Sequence, residues 1–191
     1  MHFLDVPYYS QYQNVLEEKW RSRACGVTSV KMVLKYFYPD NDESIDALID
    51  EGVRIGGYKT EHGWDHETLV RLLRNRGLFA YREEFKSQVL KPGETKGMPS
   101  IYDAKMAKAG IKKIYKMLKA GRPVIVSVDA GFGENKSSHL IVLVGFDLDD
   151  SGEVAGFVFN DPDAKTGIKK NIFVEIEKFE RYWRRMCVFV G

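Results

Sequence analysis

The sequence predicts an α+β domain in which a helical N-terminal half packs on a C-terminal antiparallel β-sheet. Before residue 120, apolar residues recur at three- to four-residue spacing, which is the period of an amphipathic helix. Beyond residue 120 the pattern changes to short runs of β-branched and aromatic residues separated by turn residues. Helices followed by strands are typical of the α+β class. The length of 191 residues indicates a single domain, 1–191, with halves at about 12–120 and 121–191.

The helical half contains four predicted helices after an extended segment at 1–12, where Pro7 disfavours helix. Each helix is bounded by a residue that caps or breaks it. The expected helices are 25–37, which stops before Pro39; 43–50, capped by Asp42; 65–76, capped by Asp65 and ended by Gly77; and 111–119.

Five strands are expected in the second half, close enough together to be antiparallel neighbours: 124–128, 139–146, 155–160, 172–176 and 186–190. Residues 86–103 contain two prolines, two glycines and little periodicity. A segment of this kind is either a loop that gates a cleft or a tolerated surface insertion.

Composition narrows the function classes. Hydrophobic residues make up 44% of the chain and 29 basic side chains nearly balance 27 acidic ones, so we expect a globular protein without a nucleic-acid partner. No apolar run approaches the roughly 18 residues that indicate a membrane span. Two cysteines cannot form a disulfide framework, and no signal peptide is visible, which favours a cytoplasmic location. A leader that had been removed would leave no trace, and the sequence does not indicate an oligomeric state.

Cys25 is the first candidate functional residue, because it opens the helix in the string SRACGVTSVKMVLKYF. Unpaired backbone amides and the helix dipole favour a negative charge in the first turn, and therefore a thiolate. The alternative is a small apolar residue packed at a helix start, since free cysteines are commonly buried.

Three more polar residues could complete a thiol site. His139 begins the run HLIVLVGFD, Asp161 follows GFVFN, and Gln11 lies in VPYYSQ. Each has a simpler interpretation, respectively a structural histidine, a turn former before proline and a surface amide. Together they supply a nucleophile at Cys25, a proton partner at His139, a carboxylate that orients it at Asp161, and an oxyanion donor at Gln11.

These segments resemble the papain-like cysteine peptidases of the double-glycine leader type, the bacteriocin-processing peptidases and their stand-alone relatives. The matching pieces are VPYYSQ, ACGVTSVKMVLKYF, LKAGRPVIVSVD, HLIVLVGFD, FNDPD and VEIEKFERYW, in that order. The resemblance implies the papain-like fold, a triad of Cys25, His139 and Asp161, and an oxyanion hole with Gln11. Val27 stands where relatives usually carry proline, and no GxxxxGK phosphate loop is present, so a transport-coupled role and double-glycine specificity are not carried over.

We therefore expect a thiol peptidase or related hydrolase that cleaves a peptide or other amide bond in a peptide or protein substrate. An acyltransferase, deamidase or transglutaminase would use the same triad, and a non-catalytic peptide-binding domain would retain only the fold. No cofactor or metal is expected. His62 and His66 have metal-like spacing, but Gly63 and the cap at Asp65 interrupt the helix that would align them. Trp64 and Trp183 suit either a cleft or the core.

Overall fold

The computed structural model describes residues 1–60, 63–86, 103–134 and 137–191. Helices dominate the first half of these residues and strands the second, as the sequence predicts. The helices are α1 (Glu18–Arg21), α2 (Cys25–Phe37), α3 (Ile45–Arg54), α4 (His66–Arg74), α5 (Asp103–Lys119) and α6 (Ile176–Tyr182). The strands are β1 (His2–Phe3), β2 (Tyr58–Lys59), β3 (Gly63–Trp64), β4 (Ala80–Glu84), β5 (Val124–Asp129), β6 (Ser138–Leu148), β7 (Val154–Asn160), β8 (Ile172–Glu175) and β9 (Trp183–Val190).

One antiparallel sheet organises the described part of the chain. Its strand order is β4-β9-β5-β6-β7-β8, with β1 paired to β6, and β2 and β3 form a separate small hairpin. The last strand, β9, lies between β4 and β5. Strand β9 therefore joins β4, which belongs to the helical half, to the strands of the second half.

The sheet is covered on both faces, which explains why its central strand β6 has no alternation of apolar and polar residues. Leu140, Val142 and Val144 pack in one core cluster with residues of α2, α3 and α4. Ile141 and Leu143 pack in a second cluster with residues of α5 and α6. A strand buried on both faces needs apolar side chains at successive positions.

Helix α2 lies very close to β6. A Cβ atom on Gly26 would meet the Cδ1 atom of Leu140 at 2.9 Å and side-chain atoms of Leu69 at 3.3 Å. One turn further along the helix, the Ser29 hydroxyl donates to the carbonyl oxygen of Leu140 at 3.4 Å. The small residue and this hydrogen bond hold the first turn of α2 against the strand that carries His139.

The predicted limits of α2 are confirmed, and Asp65 is the N-cap of α4, accepting from the Glu67 amide at 3.3 Å. The cap predicted for α3 is wrong. Ser44 caps α3 by accepting from the Ala47 amide at 3.1 Å, whereas Asp42 forms an ion pair with Lys35.

Other elements differ in extent. Helix α5 begins at Asp103, eight residues before the predicted start at 111. A glycine at position 110 weakens the helical pattern, but it is required by packing, because a Cβ there would meet the Trp183 ring at 2.4 Å. Sequence analysis missed α1, β4 and α6, which are short or depend on tertiary partners. The candidate gating loop at 86–103 lies largely outside the described residues.

Within the described residues, no helix has both the length and the apolar character needed to cross a lipid bilayer.

Replacing Gly26 by alanine is expected to destabilise the protein by about 1–3 kcal/mol, the usual cost of overpacking a core contact. The added methyl group would displace Leu140 or push α2 away from β6. Urea unfolding followed by circular dichroism measures the change in the free energy of unfolding. Gly133→Ala is the matched control, since its Cβ would meet nothing closer than 3.9 Å. Equal stabilities of the two variants would contradict the close approach of α2 to β6.

Candidate active site

Cys25 is the first residue of α2, and its side chain is partly exposed. The preceding residue, Ala24, occupies the N-cap position and has no side-chain oxygen to accept from the first amides of the helix. The first turn also contains no acidic side chain. The backbone amides and the positive end of the helix dipole are therefore left to interact with the thiol group.

His139 lies on β6, one residue after the strand begins, and 7% of its surface is exposed. Its Nε2 atom is 2.7 Å from Oδ1 of Asp161. Cys25 lies near enough to the ring to be one of the groups that raise the pKa of His139, after Asp161. Because Nε2 faces the carboxylate, Nδ1 is the ring nitrogen left for the thiol. The structure thus brings three of the four predicted site residues together around one imidazole ring.

Asp161 directly follows β7 and is held by several groups. Its Oδ1 atom also accepts from the Asp163 amide at 2.8 Å, and its Oδ2 atom lies 3.7 Å from Nζ of Lys169. The Tyr8 hydroxyl donates to the Asp161 carbonyl oxygen at 3.1 Å. These contacts fix the carboxylate in one orientation towards His139.

The pKa values of this pair move apart in the directions expected for an ion pair. Burial alone would lower the pKa of His139, but hydrogen bonds to Asp161 and Cys25 outweigh it and raise the pKa to about 10. Burial alone would raise the pKa of Asp161, but the hydrogen bond and charge of His139 outweigh it and lower the pKa. The imidazolium is consequently the favoured form of His139 at neutral pH.

Gln11 is held beside Asp161 by a strap, which we define as residues 6–13. Its backbone amide donates to the Pro162 carbonyl oxygen at 2.9 Å. The strap is also fastened by Ser10, whose hydroxyl donates to the Ala164 carbonyl oxygen at 2.7 Å, and by Gln13, whose side-chain amide donates to the Gly167 carbonyl oxygen at 2.8 Å. The Gln11 side chain is 3% exposed, so the interpretation of Gln11 as a surface amide is wrong.

The Gln11 side chain is only partly satisfied. Its Oε1 atom is buried and has no hydrogen-bond partner among the described residues. An unpaired buried polar atom is costly, and such atoms are retained mainly where a ligand or a reaction uses them.

Tyr12 adjoins the candidate site, next to Gln11 in the strap, and sequence reasoning did not single it out. Burial and the charge of Asp163 raise the pKa of Tyr12, while a hydrogen bond from Gln11 opposes the increase. The charge of a Cys25 thiolate is a further and smaller cause of the increase. The position of Tyr12 next to Gln11 in the chain was the available signal.

The second cysteine, Cys187, lies in β9 and is fully buried. Burial raises the pKa of the Cys187 thiol well above its ordinary value. A buried, protonated thiol is unreactive, so we interpret Cys187 as a core residue and not as a second reactive thiol.

The metal-like spacing of His62 and His66 involves a residue outside the described part of the chain, His62. Among the residues that the structure describes, no group of three or more histidine, cysteine or acidic side chains is placed to hold a metal ion. His66 instead lines a cleft next to Cys25, together with Trp64.

Comparison with known proteins identifies the family to which the chain belongs. The model of the Peptidase_C39 like family matches residues 3–187. The chain belongs to this family. The resemblance to C39 peptidases that the motifs predict is thereby confirmed, and a search of curated proteins found no significant match.

Solved structures show the same fold. A double glycine motif protease from an AMS/PCAT transporter, in complex with the leader peptide, is 20% identical, with a TM-score of 0.56; the match covers 98% of this chain and 92% of that one. A putative C39-like peptidase from Bacillus anthracis is 20% identical, with a TM-score of 0.59 and coverage of 98% and 95%. The peptidase domain of Streptococcus ComA, from a bifunctional ABC transporter, is 16% identical, with a TM-score of 0.56 and coverage of 89% and 92%. The predicted papain-like α+β fold is confirmed.

Replacing Asp161 by asparagine is expected to lower the pKa of His139 from about 10 towards or below the ordinary histidine value of about 6.5. The burial that opposes the charged ring remains, while the carboxylate that favours it is lost. The titration of the His139 ring protons by NMR measures this pKa. Asp149→Asn, at the far end of β6, should leave it unchanged. An unchanged pKa in Asp161→Asn would mean that the ion pair does not control the protonation of His139.

Proposed function

We propose that this chain is a cysteine peptidase in which Cys25, His139 and Asp161 act as a catalytic triad and Gln11 contributes to the oxyanion hole. The observation that carries the proposal is the contact of 2.7 Å between His139 and Asp161, with Cys25 close enough to raise the pKa of the same ring. Membership of the Peptidase_C39 like family supports peptidase chemistry, because the family is named for its likeness to a peptidase.

In the proposed mechanism, the imidazolium of His139 and the amides of α2 stabilise the Cys25 thiolate. The thiolate attacks the carbonyl carbon of the substrate, and the carbonyl oxygen acquires the negative charge. The Gln11 side-chain amide and the backbone amide of Cys25 donate hydrogen bonds to this oxygen.

His139 then donates its proton to the leaving amine, and a thioester with Cys25 remains. A water molecule, deprotonated by the now neutral His139, attacks the thioester and releases the acid product. Asp161 keeps the ring oriented and stabilises its charged form throughout, without taking the proton.

Labelling of Cys25 tests the activated thiolate. Iodoacetamide at pH 7 should alkylate the wild type at least about tenfold faster than His139→Ala, because a free thiol with a pKa of about 8.5 is only a few per cent ionised there. Mass spectrometry measures the extent of labelling with time. Cys25→Ala should remain unlabelled while folded, since Cys187 is buried.

His2→Ala is the matched control, because His2 lies on β1 at the surface. It should be labelled at the wild-type rate. Equal rates for the wild type and His139→Ala, with both proteins folded by circular dichroism, would defeat the proposal of an activated thiolate.

Gln11→Ala should lower kcat by about 10²–10³, the usual effect of removing one oxyanion donor, with a much smaller change in KM. The assay measures peptide cleavage by mass spectrometry, first with a peptide library to find a substrate. Gln13→Ala is a matched control, because Gln13 fastens the strap to Ala164 and Gly167 without reaching the thiol site. Similar losses in both variants would assign Gln11 to holding the strap rather than to the oxyanion.

The same assay separates hydrolysis from acyl transfer. With a primary amine present at high concentration, a hydrolase yields the free acid as the main product. An amide of the added amine as the main product would assign the chain to the acyltransferases or transglutaminases instead.

A further inference from the structure

A small cleft opens beside Cys25, away from the contacts that hold His139 and Asp161. Its volume is about 180 Å³, and Cys25 forms part of its lining. Sites for drug-sized ligands are typically about 300–1,000 Å³, so this cleft has room for a single large side chain.

The wall of the cleft combines apolar and polar groups. Tyr58, Trp64 and Leu140 line it, and Gly63 contributes bare backbone. A Cβ on Gly63 would have no atom within 4 Å, which indicates that this side is open. The two aromatic rings and Leu140 form the part of the lining that suits an aromatic ring entering beside the thiol.

The aromatic wall is already in place. The ring of Tyr58 meets that of Trp20 edge-on at 4.9 Å and that of Trp64 at 5.3 Å. The Trp64 indole donates to the Arg23 carbonyl oxygen at 2.7 Å, two residues before Cys25. This hydrogen bond ties the wall to the segment that carries the nucleophile, so little reorganisation is needed on binding.

The polar residues of the cleft do not oppose an apolar occupant. Burial lowers the pKa of His66, so its ring is neutral at pH 7, although Asp65 and Glu84 partly counteract this effect and Arg82 and Lys86 add to it. Ser22, Arg23 and Ser138 are exposed at the rim, where the small serine side chains leave the entrance wide. The charged group of Arg23 stays in contact with water there, and guanidinium groups stack favourably on aromatic rings.

We propose that this cleft binds one bulky apolar side chain, preferably aromatic, of the substrate residue next to the bond that Cys25 attacks. The inference rests on the proposed function and gives it a substrate class. It also sets this chain apart from a double glycine motif protease, because a glycine would leave the aromatic wall in contact with water. Aromatic rings favour edge-on and offset contacts of the kind that Tyr58 and Trp64 offer here.

A pair of small electrophiles tests the cleft without requiring peptide cleavage. N-benzylchloroacetamide and N-methylchloroacetamide both alkylate a thiolate, forming a carbon–sulfur bond as chloride leaves, and they differ in the ring. The second-order rate of Cys25 labelling should be about ten- to a hundredfold higher for the benzyl compound, the range expected from burial of one large apolar side chain. The benzyl reaction should also saturate with concentration.

Ser22→Phe should fill the cleft from its rim and abolish the benzyl preference, which is measured as the ratio of the benzyl to the methyl rate so that any general change in thiol reactivity cancels. The matched control is Ser151→Phe, at the turn beyond the far end of β6, which should keep the preference. A wild type without the preference, or a Ser22→Phe variant that retains it, would overturn the proposal.

The two proposals fail in different ways. Equal iodoacetamide rates for the wild type and His139→Ala would defeat the activated triad, whereas the ratio of the benzyl to the methyl rate would still report on the cleft. A wild type that is activated but shows no benzyl preference would retain the triad and lose the aromatic subsite.

Discussion

The candidate site depends on a buried imidazole–carboxylate pair that joins the start of β6 to the end of β7. Removing either charge would leave the other partly unpaired in a poorly hydrated place, so the pair is stable only while its other hydrogen bonds are made. Asp161 accepts from the Asp163 amide as well as from His139, and Lys169 lies near its second oxygen. Folding of the loop after β7 and protonation of His139 are thus coupled.

The strap of residues 6–13 explains how a residue from the N-terminus reaches this pair. Its hydrogen bonds with Pro162, Ala164 and Gly167 follow the loop after β7, over a sequence separation of about 150 residues. Gln11 and Asp161 are therefore positioned by the same loop. The proposed oxyanion donor, Gln11, and the partner of His139, Asp161, are expected to shift together if that loop moves.

Cys25 is positioned by a third set of contacts, the packing of α2 on the covered sheet. Gly26 permits the close approach, and Ser29 adds a hydrogen bond to the strand that carries His139. The same approach brings the cap of α2 beside the aromatic wall at Trp64. The thiol consequently lies between two environments, the His139–Asp161 pair and the cleft lined by Tyr58 and Trp64.

Much of this organisation is determined locally and could be predicted from the sequence. The period of apolar residues and Pro39 define α2, and the Asp65 cap defines the start of α4. The order of Cys25, His139 and Asp161 along the chain, with matching motifs around them, indicates the family and the candidate triad. Short elements without strong caps, such as α1 and β4, were missed because their stability comes from packing rather than from local propensity.

Tertiary structure alone decided the environment of each side chain. Whether His139 faced the core or a carboxylate depended on the pairing of β6 with β7, and whether Gln11 was exposed depended on contacts about 150 residues away. The sequence left Trp64 between a cleft and the core, and the cleft beside Cys25 was not identified in advance, because its lining residues come from separate segments of the chain. The sequence by itself determined which chemical groups are present and where the longer helices lie. The distances between those groups, and so their pKa values and burial, are set by long-range packing that no local pattern encodes.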